Sequence, residues 1–189
     1  MTSADATPAR KIVANFFISM DGVVEAPHEW HFPYFNDEMG QAVESGVEGN
    51  DAMLMGANLY REWSEYWPTS DDEFAGFINA TPKYVISNSL DKLDWQNSHL
   101  IKGDEAVERI RELKAQPGKN IGMSGCATTV RWLLREGLLD ELHLLVHPIA
   151  VGKGQHLFDD TTPTQKLELV SSKAFTTGVL YNIYRPVAD

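Results

Sequence analysis

The chain has 189 residues, a length that suits a single globular domain with one hydrophobic core. Its formal net charge of −11 argues against nucleic acids and anionic membranes as partners. Its one cysteine, Cys126, excludes an internal disulfide and a cysteine-based zinc site, and predicts a reducing, cytoplasmic compartment.

The first half of the chain alternates strand and helix patterns. Residues 1–10 are small and polar and predict a disordered tail, so we place the domain at residues 11–187. A β-rich run ends at the Asp21-Gly22 turn and is followed by a loop with two prolines and three aromatic residues. In chain order the predicted elements are strand 11–20, loop 23–34, helix 36–49, strand 51–55, helix 56–67 and strand 82–87.

The second half continues the alternation and then changes character. It predicts strand 98–102, helix 104–118, strand 119–123, helix 127–136 and strand 140–148. The runs 167–175 and 179–186 predict an antiparallel hairpin around Thr177-Gly178. The sequence therefore predicts a single α/β domain, with a mostly parallel mixed sheet, helices on both faces and a C-terminal antiparallel hairpin.

Three of the predicted strands end in small, polar residues. These corners are Gly56-Ala57-Asn58, Ser87-Asn88-Ser89 and Ser124 to Thr129. The carboxyl ends of parallel strands share one edge of a sheet, and ligands of open α/β sheets bind there. The first and third corners open helices, whose N-termini favour phosphate. Small residues also fit tight turns, but three such corners at one edge favour a dinucleotide.

The order of these motifs resembles the dihydrofolate-reductase-like superfamily. It is most similar to the reductase domain of the riboflavin-biosynthesis deaminase/reductase and its stand-alone relatives. The segments that carry the resemblance are FFISMDGVVE (16–25), LMGANLYREW (54–63), KYVISNSL (83–90) and SGCATTVRWLLREGLLDELHLLVHPIAVGKGQHLF (124–158). Together they cover roughly residues 11–185.

This resemblance implies a reductase that binds NADPH across the three corners. The turn at Ser124-Gly125 would pass under the pyrophosphate, with the N-terminus of the following helix pointing at it. The implied cofactor-binding residues are Gly56, Asn58, Arg61, Ser87, Asn88, Ser124, Gly125, Cys126, Ala127 and Thr128. The family commonly forms homodimers, and Trp132, away from the apolar stripe of its helix, is a candidate contact with another element or subunit.

The chain departs from its relatives at the first corner. Relatives often carry an arginine and a threonine where this chain has Ala57 and Leu59, which cannot hold a phosphate. Arg61, one helical turn further on, is the candidate replacement. With neutral partners for the rest of the 2′-phosphate, we expect only a modest preference for NADPH over NADH.

The implied substrate is a small pterin-, pyrimidine- or carbonyl-type compound, bound between Asp21 and the 23–37 loop. Asp21 is the first candidate for the proton donor, because it follows a predicted parallel strand at the ligand edge. It could equally serve only the Asp-Gly turn. Phe35 stands where dihydrofolate reductase carries its pterin-binding acid, so dihydrofolate should be a poor substrate.

Other interpretations are weaker. His143 and His147 are four residues apart in one strand, about 13 Å, which is too far to share a metal. Ser124, Asp140 and His147 follow a hydrolase chain order, but the helix after Ser124 should carry Asp140 to the opposite edge of the sheet. Cys126 is more simply a buried thiol than a reactive one. The remaining rival is a nucleotide-binding homodimeric module of the same fold without reductase activity.

Overall fold

A computed structural model describes residues 9–187 of the chain. The strands within this range are β1 (Ile12–Ser19), β2 (Asn50–Gly56), β3 (Lys83–Ile86), β4 (Ser98–Ile101), β5 (Asn120–Ser124), β6 (Glu141–His147), β7 (Leu167–Ala174) and β8 (Leu180–Pro186). The helices are α1 (Asp37–Glu48), α2 (Ala57–Tyr66), α3 (Ala75–Ala80), α4 (Ala106–Ala115) and α5 (Ala127–Arg135). Short 3-10 helices cover Pro27–Glu29, Phe32–Tyr34 and Trp67–Thr69.

All the strands form one sheet in the order β4-β3-β2-β5-β1-β6-β8-β7. The pairs from β4 to β6 are parallel, and β8 then pairs antiparallel with both β6 and β7. The predicted parallel sheet and C-terminal hairpin are therefore confirmed. The order also makes β3, β2 and β5 immediate neighbours, which brings their carboxyl ends together.

Apolar side chains cover both faces of the sheet. On one face, α4 and α5 pack onto alternate residues of β1, β2 and β5, with Ile110, Val130 and Leu133 fully buried. On the other face, α1 packs near Leu145 and α2 packs around Met55. The prediction of helices on both faces is confirmed.

Helix α3 lies in a stretch that the sequence did not identify as helical. Its C-terminal carbonyls are held by Lys83, a fully buried residue of β3. The Lys83 ammonium donates to the carbonyls of Ile78, Asn79 and Thr81 at 2.8–2.9 Å. It also lies 4.2 Å from the centre of the Trp95 ring. Because this cap comes from a distant strand, local sequence could not predict it.

One smaller expectation is wrong. Arg10 is not part of a tail: it is 7 % exposed, it pairs with Asp51, and its Nε donates to the Lys119 carbonyl at 2.7 Å. Residues 1–8, for which disorder was also expected, lie outside the described residues. Trp132, expected to contact another element or subunit, is half-buried against the α4/α5 side of the sheet, so it contacts other elements of its own chain. It therefore gives no reason of its own for a second subunit.

None of the helices within residues 9–187 is both long and apolar enough to cross a membrane.

Candidate active site

The first and third corners are in direct contact. The backbone N–H of Gly56, at the end of β2, donates to the Cys126 thiol at 3.4 Å. A Cβ atom on Gly56 would lie 2.9 Å from Oγ1 of Thr129, so any larger residue would push the corners apart. Glycine is needed here for this close approach between α2 and α5.

The N-terminus of α5 is open. Gly125 adopts φ +70°, a left-handed conformation that other residues rarely tolerate. The first N–H groups of any α-helix have no intrahelical acceptor. In α5 the residue before the helix, Cys126, makes no side-chain capping hydrogen bond to them. Ser124, Gly125 and Thr128 are exposed, whereas Ala127 is buried. This turn therefore presents backbone donors and the positive end of a helix to an anion.

Arg61 connects the first corner to the second. Its guanidinium donates to Asn58 Oδ1 at 3.2 Å and to Ser89 Oγ at 3.1 Å. Ser89 was not among the predicted cofactor residues, although the predicted Ser87 and Asn88 are its neighbours. Arg61 is also the only basic residue among residues 36–82. These contacts place one cation between the corner after β2 and the corner after β3.

Oxygen atoms of the Ser87 and Asn88 side chains accept hydrogen bonds from the protein backbone. Ser87 Oγ accepts from the N–H groups of Ser89 and Leu90, each at 3.0 Å. Asn88 Oδ1 accepts from the N–H of Gly103 at 2.7 Å. These contacts use the Ser87 hydroxyl oxygen and the Asn88 carbonyl oxygen; a phosphate contact by either side chain stays a prediction.

Cys126 is a structural thiol. Burial raises the pKa of its thiol, although the N–H of Gly56 partly opposes that rise. At neutral pH it is therefore protonated and poorly nucleophilic. Its contribution to the third corner comes from the backbone and from its contact with Gly56.

An apolar cavity opens beside these corners, on the α1/α2 face of the sheet. Its volume is about 270 Å³, and it lies between β1, β2, β5 and the helices α1, α2 and α3. Six aromatic side chains line it: Phe16, Phe17, Trp63, Trp67, Phe74 and Phe77. Ser124 and Leu59 belong both to the cavity wall and to the corner region. The cavity is therefore adjacent to the open N-terminus of α5.

Polar groups are sparse in the cavity wall. Asn15 on β1 is half-buried, pairs in register with Ser124 on β5, and has no side-chain hydrogen bond within residues 9–187. Asn50 also lines the cavity, but its amide donates to the Gly46 carbonyl at 2.6 Å. Sequence reasoning missed Asn15. The available signal was an amide in the middle of the otherwise apolar strand KIVANFFISM.

Comparison with known proteins identifies the family. The RibD C-terminal domain family matches residues 10–181. The chain belongs to this family.

Two kinds of similarity agree with that assignment. The Bacillus subtilis (strain 168) "Uncharacterized protein YyaP" is 28% identical over 181 residues, which is 93% of this chain and 94% of YyaP. A Thermotoga maritima diaminohydroxyphosphoribosylaminopyrimidine deaminase/5-amino-6-(5-phosphoribosylamino)uracil reductase has a TM-score of 0.66 at 16% identity, over 95% of this chain and 57% of that one. Enterococcus faecalis dihydrofolate reductase, complexed with NADP(H), has a TM-score of 0.63 at 12% identity, over 93% and 96%. The predicted dihydrofolate-reductase-like fold is confirmed.

Asp21 has a structural position in this RibD C-terminal domain. Its carboxylate accepts from the Ser19 hydroxyl at 2.5 Å, and from the N–H groups of Val151 and Gly152 at 3.0 and 2.7 Å. These donors, the Ser19 hydroxyl first, lower the pKa of Asp21 to about 2. Asp21 is exposed and does not line the cavity. The contacts favour the turn role over proton donation, because a carboxylate with this pKa carries no proton at neutral pH.

The glycine loop at residues 151–157 is fastened to the loop after β1. Val24 N–H donates to the Gln155 carbonyl at 2.9 Å, and the Glu25 carboxylate accepts from the Gln155 N–H at 2.6 Å. The Gln155 amide also reaches Thr128 Oγ1 at 3.4 Å. The two loops therefore form one unit next to the start of α5.

The histidines do not gather into a metal site. Within residues 9–187, no cluster of three His, Cys, Asp or Glu side chains could hold an ion. His143 is occupied by Tyr181 and Glu141, at 2.9 and 3.1 Å. His147 is fully buried and accompanies His31 in an aromatic cluster. Asp140 lies at the opposite edge of the sheet, where it accepts from Ile12 N–H at 2.7 Å, so the hydrolase arrangement cannot form.

Proposed function

We propose that this protein is an NADPH-dependent reductase that transfers a hydride to a small pterin-, pyrimidine- or carbonyl-type substrate. The observation that carries the proposal is the adjacency of two features: Ser124 belongs both to the apolar cavity and to the turn that opens α5. A dinucleotide held at that turn would have its reactive ring next to the cavity. Membership of a family related to reductases supports the same chemistry.

The residues at the three corners fit a dinucleotide. The backbone donors of Gly125 to Thr129 would hold the pyrophosphate, where the N-terminus of α5 supplies partial positive charge. Arg61, with Asn58 and Ser89, would hold the 2′-phosphate that distinguishes NADPH from NADH. The reduced nicotinamide supplies the hydride when it is bound.

The proton that must accompany the hydride has no obvious protein donor. No Asp, Glu, His, Lys, Tyr or Cys side chain lines the cavity in the described range. Ser124 is exposed to solvent at the cavity wall, and Asn15 offers an unpaired amide beside it. We assign protonation to water that enters at Ser124, with Asn15 orienting the substrate oxygen or nitrogen.

Deuterium-labelled NADPH tests this proposal directly. The wild-type protein would be incubated with NADPH labelled at the transferred position and with pterin, pyrimidine and conjugated-carbonyl acceptors in turn. The proposal predicts deuterium in at least one reduced product. Tight NADPH binding without transfer to any acceptor class would instead support a nucleotide-binding module. Absence of NADPH binding would contradict both.

We propose that the protein functions as a homodimer in the cytoplasm. Within the described residues, seven of the eight positions of the edge strand β7 are exposed. Leu169 and Val170 are 53% and 43% exposed there, and Leu180 on β8 is 41% exposed. An edge strand with exposed apolar side chains can pair with another chain. Sedimentation showing only monomer at micromolar concentration would contradict the dimer.

A further inference from the structure

The cavity wall carries no ionic group. Its polar side chains within residues 9–187 are Asn15, Asn50 and Ser124, and the rest of the wall is aliphatic, aromatic or glycine. A charged ligand group buried there would lose its hydration without gaining an opposite charge. The wall therefore favours a ligand that is neutral over the part it buries.

The chain segment around the cavity is acidic. Residues 36–82 contain ten acidic residues and one basic residue, Arg61; of the acidic residues, Asp51 pairs with Arg10 and Glu38 with Lys173. Arg61 reaches Asn58 and Ser89 at the cofactor corner and does not line the cavity. An anionic substrate would therefore meet negative potential on approach and no cation on arrival. This charge distribution is independent of the cavity lining and points to the same selection.

Two polar groups without hydrogen-bond partners indicate which acceptor groups a ligand should carry. The Asn15 amide has no side-chain partner in the described part of the chain. The indole Nε1 of Trp67, which also lines the cavity, is buried and has no acceptor among the described residues. A carbonyl oxygen or a ring nitrogen could accept from such donors. The cavity volume of about 270 Å³ is near the small end of ligand pockets, which limits the buried part to one or two rings.

We propose that this cavity selects an uncharged, flat ring compound with a conjugated carbonyl, and that it rejects phosphorylated and carboxylated substrates. The inference deepens the proposed reductase function and rests on it only for the reaction. It separates this chain from the Thermotoga protein, which is named as a reductase of a phosphoribosylamino uracil. A phosphate on such a substrate would find no cation in this cavity wall.

The test is calorimetric binding of two matched probes, coumarin and coumarin carboxylate, at low ionic strength. Both carry the same two-ring conjugated lactone, and only the second is an anion. We expect coumarin to bind at least about tenfold more tightly, since the anion must be buried without a partner. Equal or tighter binding of the carboxylate would overturn the inference, and so would failure of coumarin to bind at millimolar concentration.

Two helical glycines provide a matched pair of variants that locate the site. Gly46 on α1 lines the cavity, and a Cβ there would meet only Asn15 Oδ1, at 3.8 Å. Gly76 on α3 is exposed, with nothing within 4 Å of its Cβ position. Leucine is a better helix former than glycine, so both Gly46→Leu and Gly76→Leu should fold. Gly46→Leu should weaken coumarin binding at least about tenfold by filling the cavity, and Gly76→Leu should leave it within about twofold. Unchanged binding in Gly46→Leu would place the site elsewhere and overturn the inference.

The reductase proposal can fail separately from this one. If coumarin is selected as expected but NADPH does not bind, the reaction is wrong while the selectivity of the cavity stands. If deuterium passes from NADPH to a phosphorylated acceptor, the reaction stands and the proposed selectivity is wrong.

Discussion

Gly125 is the single residue whose substitution tests the proposed cofactor site most directly. In Gly125→Val, a branched side chain would stand at the turn proposed for the pyrophosphate, in a backbone conformation that valine rarely adopts. Losing two charge-assisted hydrogen bonds, at about 1.5 kcal/mol each, would weaken NADPH binding roughly a hundredfold. Titration of NADPH against the protein measures the change.

Gly137 supplies the matched control for that variant. It has φ +63°, close to the +70° of Gly125, but it lies beyond the other end of α5 in open space. Gly137→Val should cost a similar backbone strain, about 1–2 kcal/mol, without touching the proposed phosphate site. Equal losses of NADPH affinity in the two variants would mean that strain, rather than a blocked cradle, is responsible.

Arg61 should set the preference for NADPH. Its side chain is exposed, so its attraction for the 2′-phosphate is screened by water and salt. We expect Arg61→Gln to weaken NADPH binding by a few-fold and to leave NADH binding nearly unchanged. The dissociation constants of the two cofactors decide the matter. A wild-type preference of many hundredfold would show that a second cation holds the phosphate.

Asp21 should prove to be a structural carboxylate. In Asp21→Asn, one amide oxygen and an NH2 group replace two acceptors that serve Ser19, Val151 and Gly152. We expect a lower melting temperature and turnover within a few-fold of wild type once an acceptor is known. A folded variant that binds NADPH normally but has lost its turnover would restore Asp21 as the proton donor.

At this scale the sequence predicted the backbone turn at Gly125, but it did not predict the direction of the Asn88 side chain. The Gly125 turn follows from a strand, three small residues and a helix in succession, and the structure has it. Asn88 was expected to face the cofactor, but it turns to the N–H of Gly103, fifteen residues away. That contact depends on how β3 and β4 are placed, which no local pattern encodes.

At the scale of elements, the loop after β1 is fastened by a cluster of buried rings. His31 stacks on Phe17 with ring centres 4.5 Å apart, and His147 packs edge-on against Phe17 and Trp30. Within the described chain, His31 Nδ1 and His147 Nε2 are buried without hydrogen-bond partners. Burial, and then the neighbouring His147, lowers the pKa of His31 to about 4, and burial also lowers the pKa of His147.

These lowered pKa values predict a loss of stability in mild acid. Between pH 6.5 and about 4, His31 of the unfolded chain binds a proton that His31 of the folded chain does not bind. The contribution of neutral His31 to the free energy of unfolding is therefore fully present above pH 6.5 and is lost as pH falls toward 4. For His31 alone the loss is up to about 3 kcal/mol, and the lowered pKa values of His143 and His147 add to it. The pKa values of the Asp21 and Glu141 carboxylates are lowered from 3.8 and 4.5 to about 2, so the stability linked to them is lost mainly below about pH 4.5.

His31→Phe tests this account, because it keeps the stacked ring and removes the titration. Urea unfolding at pH 7 and pH 4.5 should show a smaller loss of stability for the variant than for wild type. His28→Gln, on an exposed residue of the 3-10 helix Pro27–Glu29 that precedes His31, is the control. Identical losses in wild type and His31→Phe would show that His31 does not contribute to the acid sensitivity.

The elements predicted from periodicity were recovered to within a few residues. Helix α5 illustrates why: Val130, Leu133 and Leu134 follow helical spacing and all are buried. Helix α3 was missed because it has only six residues and is stabilised by Lys83, a cation capping its C-terminus from β3. Elements held by their own pattern are readable from sequence, whereas those held by a distant partner are not.

At the scale of the whole molecule, the sheet order creates the site. Because β3, β2 and β5 are neighbours in the sheet, the three corners lie at one edge. The alternation of strands and helices in the sequence predicts a shared edge, but it does not determine the strand order. The cavity could not be predicted, because its wall combines β1 and β5 with side chains from α1, α2 and α3 across the sheet face. The substrate was expected between Asp21 and the 23–37 loop. Asp21 does not line the cavity, but Phe17, which does, stacks on His31 of that loop.

A crystal structure of the complex with NADP⁺ tests the central claim most directly. The account predicts the pyrophosphate within hydrogen-bonding distance of the backbone N–H groups of Gly125 to Thr129, with the 2′-phosphate near Arg61 and the nicotinamide ring facing Asn15 at the cavity mouth. A nucleotide bound elsewhere, or one whose nicotinamide ring points away from the cavity, would contradict it.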